Sequence, residues 1–150
     1  MIHRTEYPLI ALLTDVHRQM QDELHARLRT GGWLEIRPSH GCVFGGMSPE
    51  GARLTDLAER AHITKQSVGE IVTDLEQLGF VERIPDPADK RAKLVRLTPR
   101  GEEVQNAARE TFAQIEAEWG ERIGKKKVAE LRSMLEELSL LPPLVMDRAA

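Results

Sequence analysis

The 150-residue sequence predicts a mainly α-helical protein with one small β-hairpin. Two short helices, each predicted from an apolar stripe at helical spacing, lie only two residues apart, and a charged stretch with strand-like alternation follows them directly. Longer stripes at helical spacing flank this region, near residues 10–28 and 104–138. This order predicts a helix-turn-helix followed by a hairpin, between N-terminal and C-terminal helices.

Capping residues mark the ends of the two short helices. The first is predicted to begin at Thr55 as its N-cap, and the second opens at Thr64 and closes at Gly79 in the left-handed conformation. Only residues 62 and 63 join the two helices, so we expect a steep crossing in which Ile63 fills the corner.

Polar residues cluster at the N-terminal end of the second helix. Its positive dipole end, free backbone N–H groups and polar side chains suit a phosphate or a base edge. Gln66 suits adenine, and Lys65 suits guanine or phosphate. Gly69, inside the helix, favours close approach of another backbone. The DNA-binding residues predicted for this helix are Thr64, Lys65, Gln66, Ser67 and Thr73; an ordinary capped surface helix is the alternative.

A hairpin is predicted from strands at residues 80–84 and 93–97, joined by a turn that holds two prolines and two aspartates. Six basic and two acidic residues lie between Arg83 and Arg100, which favours nucleic-acid contact over a merely solvated hairpin. Arg91 is the candidate to enter a minor groove, with Asp89 orienting its guanidinium. The predicted DNA-binding residues of the hairpin are Arg83, Asp89, Lys90, Arg91 and Lys93.

The positive charge predicted for the hairpin is local and is not shared by the whole chain. The formal net charge is -3, but five glutamates and one arginine lie between residues 102 and 120, so the chain combines a basic hairpin with an acidic C-terminal helix. No membrane-spanning stretch or signal peptide is recognised, which predicts a cytoplasmic protein. No catalytic arrangement stands out, so we expect neither an enzyme nor a cofactor.

The chain resembles the MarR family of bacterial winged-helix transcription regulators at residues 54–58, 74–83, 86–91 and 97–101. The resemblance implies a winged helix-turn-helix core at about residues 33–100, within a single unit of residues 1–150. It implies dimerisation helices at about residues 5–30 and 101–145, and a helix at about residues 38–46. The helix from Thr64 would enter the major groove and the wing the minor groove, with Asp89 and Arg91 matching the family's Asp-x-Arg signature.

The flanking apolar stripes predict a homodimer, because a small core buries little of them and a second copy is the simplest partner. The resemblance implies the same assembly. Two recognition helices related by a two-fold axis would read double-stranded DNA at a pseudo-palindromic operator, with half-sites roughly 34 to 36 Å apart. A repressor released by a small-molecule effector is the favoured mode of regulation.

The sensing site is less determined by the sequence. Trp33, His40 and Phe44 are candidates to line a pocket for a small aromatic effector, although core packing suits each of them individually. Cys42, the single cysteine, is a candidate redox sensor or a packing residue. His40 and Cys42 are also a possible pair of metal ligands, completed by His3, the other histidines or carboxylates. A winged-helix module that binds an acidic protein is the remaining alternative.

Overall fold

The computed structural model describes residues 7–142. Within them the chain forms six α-helices and one two-stranded antiparallel sheet. The elements are α1 (Leu9–Thr30), a 3-10 turn (Pro38–His40), α2 (Gly41–Gly46), α3 (Leu54–Ala61), α4 (Lys65–Gln77), β1 (Val81–Pro85), β2 (Lys93–Leu97), α5 (Pro99–Ile123) and α6 (Lys125–Leu140). The predicted fold class, mainly α with a small β-hairpin, is confirmed.

The chain separates into two compact units, Met1–Phe112 and Ala113–Ala150, with the boundary inside α5. The first unit holds the helix-turn-helix, the hairpin and one hydrophobic core to which α1, α2, α4 and the hairpin all contribute. The fully buried side chains of that core include Val43, Leu57, Val68, Val72, Leu75, Phe80 and Val95. The described part of the second unit consists of the end of α5 and α6.

Local capping explains where α4 begins and ends. Thr64 precedes the helix with extended backbone, and its hydroxyl accepts the N–H of Ser67 at 3.1 Å. At the other end Gly79 has a φ of 79°, its N–H donates to Glu76 O at 3.0 Å, and the N–H of Phe80 donates to Leu75 O at 2.9 Å. This is a Schellman ending, so both predicted boundary residues of α4 are confirmed.

Two expectations for α3 are wrong. The helix begins at Leu54 with Arg53 as its N-cap, so Thr55 lies inside the first turn. Ile63 is 39% exposed and does not fill the corner. His62 takes the left-handed conformation with a φ of 54°, and the N–H of Ile63 donates to Ala58 O at 3.1 Å. The turn is therefore closed by backbone hydrogen bonds rather than by an apolar plug.

The hairpin lies one residue later than predicted at its first strand. β1 begins at Val81 and pairs with β2 in the register Val81↔Leu97 to Pro85↔Lys93. Phe80 precedes the strand and is fully buried. Ala52 extends the sheet by an isolated bridge to Val95, with N···O distances of 2.9 and 2.8 Å. The segment before α3 and the hairpin are thus held together by backbone hydrogen bonds.

The outer helices leave much apolar surface uncovered. α1 buries only Leu24 and Leu28, near its C-terminal end, whereas its first half exposes Leu9, Ile10, Leu12, Leu13 and Val16. α6 has no buried residue and exposes Met134, Leu135 and Leu138. The predicted helical stripes are confirmed, and only Gly124 separates the end of α5 from the start of α6.

The predicted dimerisation segments reach residues 5–6 and 143–145, which lie outside the described residues. The division into a DNA-binding lobe and dimerisation helices stays a prediction. None of the helices in residues 7–142 combines the length and the apolar character that crossing a membrane requires.

Candidate nucleic-acid interface

The N-terminal corner of α4 presents two exposed side chains with no strong internal partner. The Lys65 ammonium has no ion pair or hydrogen bond within the described part of the chain, and the Gln66 amide makes only a 3.4 Å contact with Glu70. The hydroxyls of Thr64 and Ser67 are 2.8 Å apart and serve the helix cap. Of the four residues predicted here, Lys65 and Gln66 are therefore best placed to reach a ligand.

Arg83 lies at the base of the hairpin and folds back onto α4. Its guanidinium forms an ion pair with Glu76 and donates to Thr73 Oγ1 at 3.1 Å. The Thr73 hydroxyl in turn donates to Gly69 O at 2.8 Å. Arg83 and Thr73 were both predicted to bind DNA, yet their polar groups already have protein partners. Their contacts instead join the hairpin to α4.

The unpaired cations are concentrated near the tip of the hairpin. Arg96 pairs with Glu82 at 2.5 Å, and Arg100 pairs with Glu35 at 2.8 Å while its guanidinium lies 4.3 Å from the centre of the Phe80 ring. The exposed cations without an ion pair in the part of the hairpin that the structure describes are Lys90, Arg91 and Lys93. We call these three residues the wing-tip cations.

Two aspartates shape the turn that carries the wing-tip cations. The carboxylate of Asp89 accepts the backbone N–H of Arg91 at 3.0 Å, so it orders the turn rather than orienting the guanidinium as predicted. Asp86 is buried, accepts the N–H of Ala88 at 2.8 Å and receives the Arg53 Nε–H at 2.7 Å. The Arg53 contact fixes the hairpin to the N-terminus of α3.

Asp86 makes the stability of the first unit depend on pH. The N–H of Ala88 and the guanidinium of Arg53 hold the pKa of Asp86 below its ordinary value. A lowered pKa in the folded state stabilises the protein above the unfolded-state pKa of about 3.9, and this contribution is lost as the pH falls through the folded-state value. Asp86→Asn is therefore expected to lower the free energy of unfolding at pH 7 and to flatten its decline towards acid pH.

Urea unfolding at neutral and acid pH measures that difference. Asp56→Asn is a matched control, because it makes the same change at an exposed carboxylate in the first turn of α3. Equal acid dependence in the parent and in Asp86→Asn would show that the Arg53 contact does not stabilise the fold.

Gly69 lies on the outward side of α4, and a Cβ added there would meet no protein atom within 4 Å. The close backbone approach expected at Gly69 is therefore not made within the described chain. Because glycine inside a helix costs about 1 kcal/mol relative to alanine, Gly69→Ala is expected to raise the free energy of unfolding by about 1 kcal/mol. Chemical denaturation checks this value, and a fall in stability would contradict it.

A second feature of the first unit is a cavity of about 890 Å³ between α1, α2 and the start of α5. Its apolar wall includes Leu24, Leu28, Ile36, Phe44, Met47, Val104 and Phe112. Its polar lining comes mainly from one side of α1 and from α5. That lining consists of His17, Arg18, Gln21, Asp22, His25, Gln105 and Arg109.

Of the three predicted effector-binding residues, the structure places only Phe44 in the cavity lining. Trp33 packs against Phe80 with ring centroids 6.2 Å apart, and His40 is 1% exposed with both ring nitrogens engaged. Phe80, which contacts both Trp33 and Phe44, therefore gathers the aromatic residues into the core. Core packing explains Trp33, and a hydrogen-bond network explains His40.

Cys42 also lines the cavity, and its thiol donates to Ser39 O at 3.2 Å. Burial raises the pKa of this thiol, which reduces the reactive thiolate and favours a packing role over redox sensing. Within the described residues no group of three or more histidine, cysteine, aspartate or glutamate side chains is placed to hold a metal ion. His3, a further candidate ligand, lies outside those residues.

The polar residues of α1 that line the cavity were not among the predicted effector-binding residues. Arg18, Gln21, Asp22 and His25 recur at three- and four-residue steps, so their shared helix face was visible in the sequence. Arg109 of α5 gave no comparable signal, because only the fold brings it to the same cavity.

A capped helix pair followed by a hairpin with cations near its tip defines this chain as a winged helix-turn-helix protein. The family model described as MarR family matches residues 45–92, which include α3, α4 and most of the hairpin. Over these residues the chain is similar to the MarR family. The resemblance seen in the sequence is thus confirmed.

Curated relatives support the assignment over part of the chain. The transcriptional regulator HosA of Escherichia coli is 35% identical over 72 residues, which are 48% of this chain and 53% of HosA. The homoprotocatechuate degradative operon repressor of Escherichia coli is 34% identical over 90 residues, 57% of this chain and 58% of the repressor. The chain thus spans little more than half the length of these relatives. Their role as regulators agrees with the expectation that this chain is not an enzyme.

Solved structures share the fold over most of the chain. The transcriptional regulator Tm0710 of Thermotoga maritima is 27% identical with a TM-score of 0.61, covering 88% of this chain and 92% of that one. CouR of Rhodococcus jostii, solved with p-coumaroyl-CoA bound, is 23% identical with a TM-score of 0.69, covering 90% and 93%.

Proposed function

We propose that this protein is a homodimeric transcriptional regulator that binds double-stranded DNA and is released from it by a small-molecule effector. One observation supports the DNA-binding role: Arg83 connects two elements that each carry an exposed polar site. Lys65 and Gln66 lie at the start of α4, and the wing-tip cations lie on the hairpin that Arg83 anchors to that helix. A protein of net negative charge thereby gains a local cationic surface suited to phosphates.

In this proposal the start of α4 enters the major groove. Gln66 reads adenine, and Lys65 contacts guanine or phosphate. The wing-tip cations contact the backbone, with Arg91 entering the minor groove. Thr64, Ser67, Thr73, Arg83 and Asp89 hold these groups in place through the hydrogen bonds described above.

The homodimer rests on the uncovered apolar faces. The exposed Leu9, Ile10 and Leu13 of α1 and the exposed Met134 and Leu138 of α6 would be costly to leave in water. A second copy of the chain is the simplest partner, and its two-fold axis would pair two recognition helices on a pseudo-palindromic operator. Because such a regulator must have access to DNA, a cytoplasmic location is part of the same proposal.

An aromatic acid is the effector class that the cavity favours. Its wall is largely apolar, and Arg18 and Arg109 offer positive charge for a carboxylate, although Asp22 opposes it. The relatives support the aromatic part of this class, since one is a homoprotocatechuate degradative operon repressor and CouR was solved bound to p-coumaroyl-CoA. An effector that binds more tightly to a dimer conformation unable to match the operator shifts the equilibrium away from the DNA-bound conformation. The size of this shift cannot exceed the effector's differential affinity for the two conformations.

Selection of bound fragments from random-sequence DNA tests the proposed function. We expect an enriched pseudo-palindrome and a dissociation constant that rises steeply with salt while discrimination between sites persists. Light scattering should give the mass of two chains. Binding without sequence preference would favour the protein-interaction alternative, and a single-chain mass at micromolar concentration would remove the dimer.

A second assay tests the effector class. Benzoate, phenylacetate and 4-hydroxycinnamate are compared with their uncharged amides for release of the selected DNA. Stronger release by the acids, lost in Arg109→Gln, is expected. Equal action of the acids and the amides would contradict a carboxylate site.

A further inference from the structure

His40 lies between the wall of the cavity and the recognition helix. Its imidazole is 1% exposed, and both ring nitrogens are used. The backbone N–H of Arg37 donates to Nδ1 at 3.2 Å, so Nε2 carries the proton that is donated to Asp74 Oδ2 at 2.7 Å. A single buried side chain therefore connects the 3-10 turn to α4, across 34 residues of sequence.

The Asp74 end of this connection is well defined. Asp74 lies near the C-terminal end of α4, the helix whose first residues are Lys65 and Gln66. Its carboxylate also pairs with the Arg37 guanidinium, which is largely exposed. The hydrogen bonds from His40 and Arg37 lower the pKa of Asp74, so the acceptor remains a carboxylate. Because α4 is a continuous helix, a displacement at Asp74 also moves its N-terminal end.

The segment that carries His40, residues 38–46, also forms part of the cavity wall. Pro38, Gly41, Cys42, Phe44 and Gly45 all line the cavity, and His40 follows two residues after Pro38. Residues 38–46 thus face the cavity on one side and hold Asp74 on the other. The end of the segment is tightly packed, since Arg60 donates to Gly46 O at 2.5 Å and a Cβ on Gly46 would lie 2.8 Å from Leu57.

We propose that His40 is a positioning residue that couples occupation of the cavity to the placement of α4 through its hydrogen bond to Asp74. This inference rests on the proposed function and specifies how it is regulated. A molecule in the cavity that favours a shifted segment moves the imidazole, and the imidazole carries Asp74 and α4 with it. The coupling is reciprocal, so DNA binding alters cavity affinity by the same factor.

The test fills the cavity covalently and needs no knowledge of the natural effector. Cys42 is the only cysteine in the chain and lines the cavity, so benzyl methanethiosulfonate places one benzylthio group there as a mixed disulfide. Labelling at about pH 9 increases the fraction of the buried thiol that is present as the reactive thiolate. Mass spectrometry confirms one label per chain, and Cys42→Trp fills the same place genetically.

Two readouts follow for the filled and unfilled protein. The first is the dissociation constant for the selected DNA. The second is amide hydrogen exchange across α4 and the hairpin without DNA. In the parent we expect filling to change DNA affinity by about tenfold and to change exchange in α4.

Four variants locate the coupling. His40→Leu removes the donor to Asp74 and also leaves the backbone N–H of Arg37 without its acceptor. Asp74→Ala therefore removes the same hydrogen bond from the helix side if His40→Leu does not fold. In both, filling is expected to change DNA affinity less than twofold and to leave exchange in α4 unchanged. Asp74→Asn keeps an oxygen acceptor for Nε2–H and should keep the coupling. Arg37→Ala, which removes only the exposed pair, is the matched control and should also keep it.

Either of two results would overturn the inference: no effect of filling in the fully labelled parent, or an undiminished effect in His40→Leu and Asp74→Ala. Failure of the proposed function looks different, because the unfilled parent would then bind no selected DNA. In that case hydrogen exchange alone still decides whether His40 couples the cavity to α4.

Discussion

Gly101→Ala is expected to destabilise the first unit by about 3 kcal/mol, at the upper end of the usual cost of overpacking a core. Gly101 is buried in the first turn of α5, and an added Cβ would overlap the carbonyl oxygen of Phe80. That carbonyl is held in place, because it accepts the N–H of Thr98 at 3.1 Å. The clash is therefore relieved only by separating α5 from the start of the hairpin.

Urea unfolding followed by circular dichroism measures this loss. Gly69→Ala is the matched control, since it makes the same substitution in a helix where the new methyl group meets nothing. The two variants should differ in sign as well as in size. A Gly101→Ala protein within 1 kcal/mol of the parent would mean that the contact between α5 and Phe80 yields easily.

Arg91→Ala is expected to weaken binding to the selected DNA by about tenfold or more, without changing dimer mass or helix content. Arg91 is exposed, and its guanidinium has no partner among the residues the structure describes. Its full charge is thus available to DNA, and losing it should also reduce the dependence of the dissociation constant on salt.

Arg96→Ala is the matched control for Arg91→Ala. Both remove an arginine from the hairpin, but Arg96 already forms an ion pair with Glu82. We expect Arg96→Ala to change affinity much less, and Arg91→Lys to restore the salt dependence but only part of the affinity, because an ammonium lacks the planar guanidinium. Fluorescence anisotropy at several salt concentrations measures all three variants. Equal losses in Arg91→Ala and Arg96→Ala would show that the hairpin contributes only bulk charge.

Features that depend on neighbouring residues could be predicted from the sequence. Thr64 caps α4 and Gly79 ends it, because a hydroxyl can reach an N–H three residues on and glycine alone takes the left-handed conformation at little cost. The alternation of the hairpin strands is an equally local signal. These signals predicted the fold class and the order of the helices and strands.

Which of the predicted site residues are available to a ligand depends on contacts that form only in the folded chain. Arg83 and Arg100 counted as free cations in the sequence, but each pairs with a glutamate, and Glu35 lies 65 residues from Arg100. His40 was a candidate for effector or metal binding in the sequence, but in the structure it is buried and hydrogen-bonded to Asp74. The physical reason is that ion pairs, burial and cavities arise between elements distant in sequence, and local spacing does not determine which elements pack together.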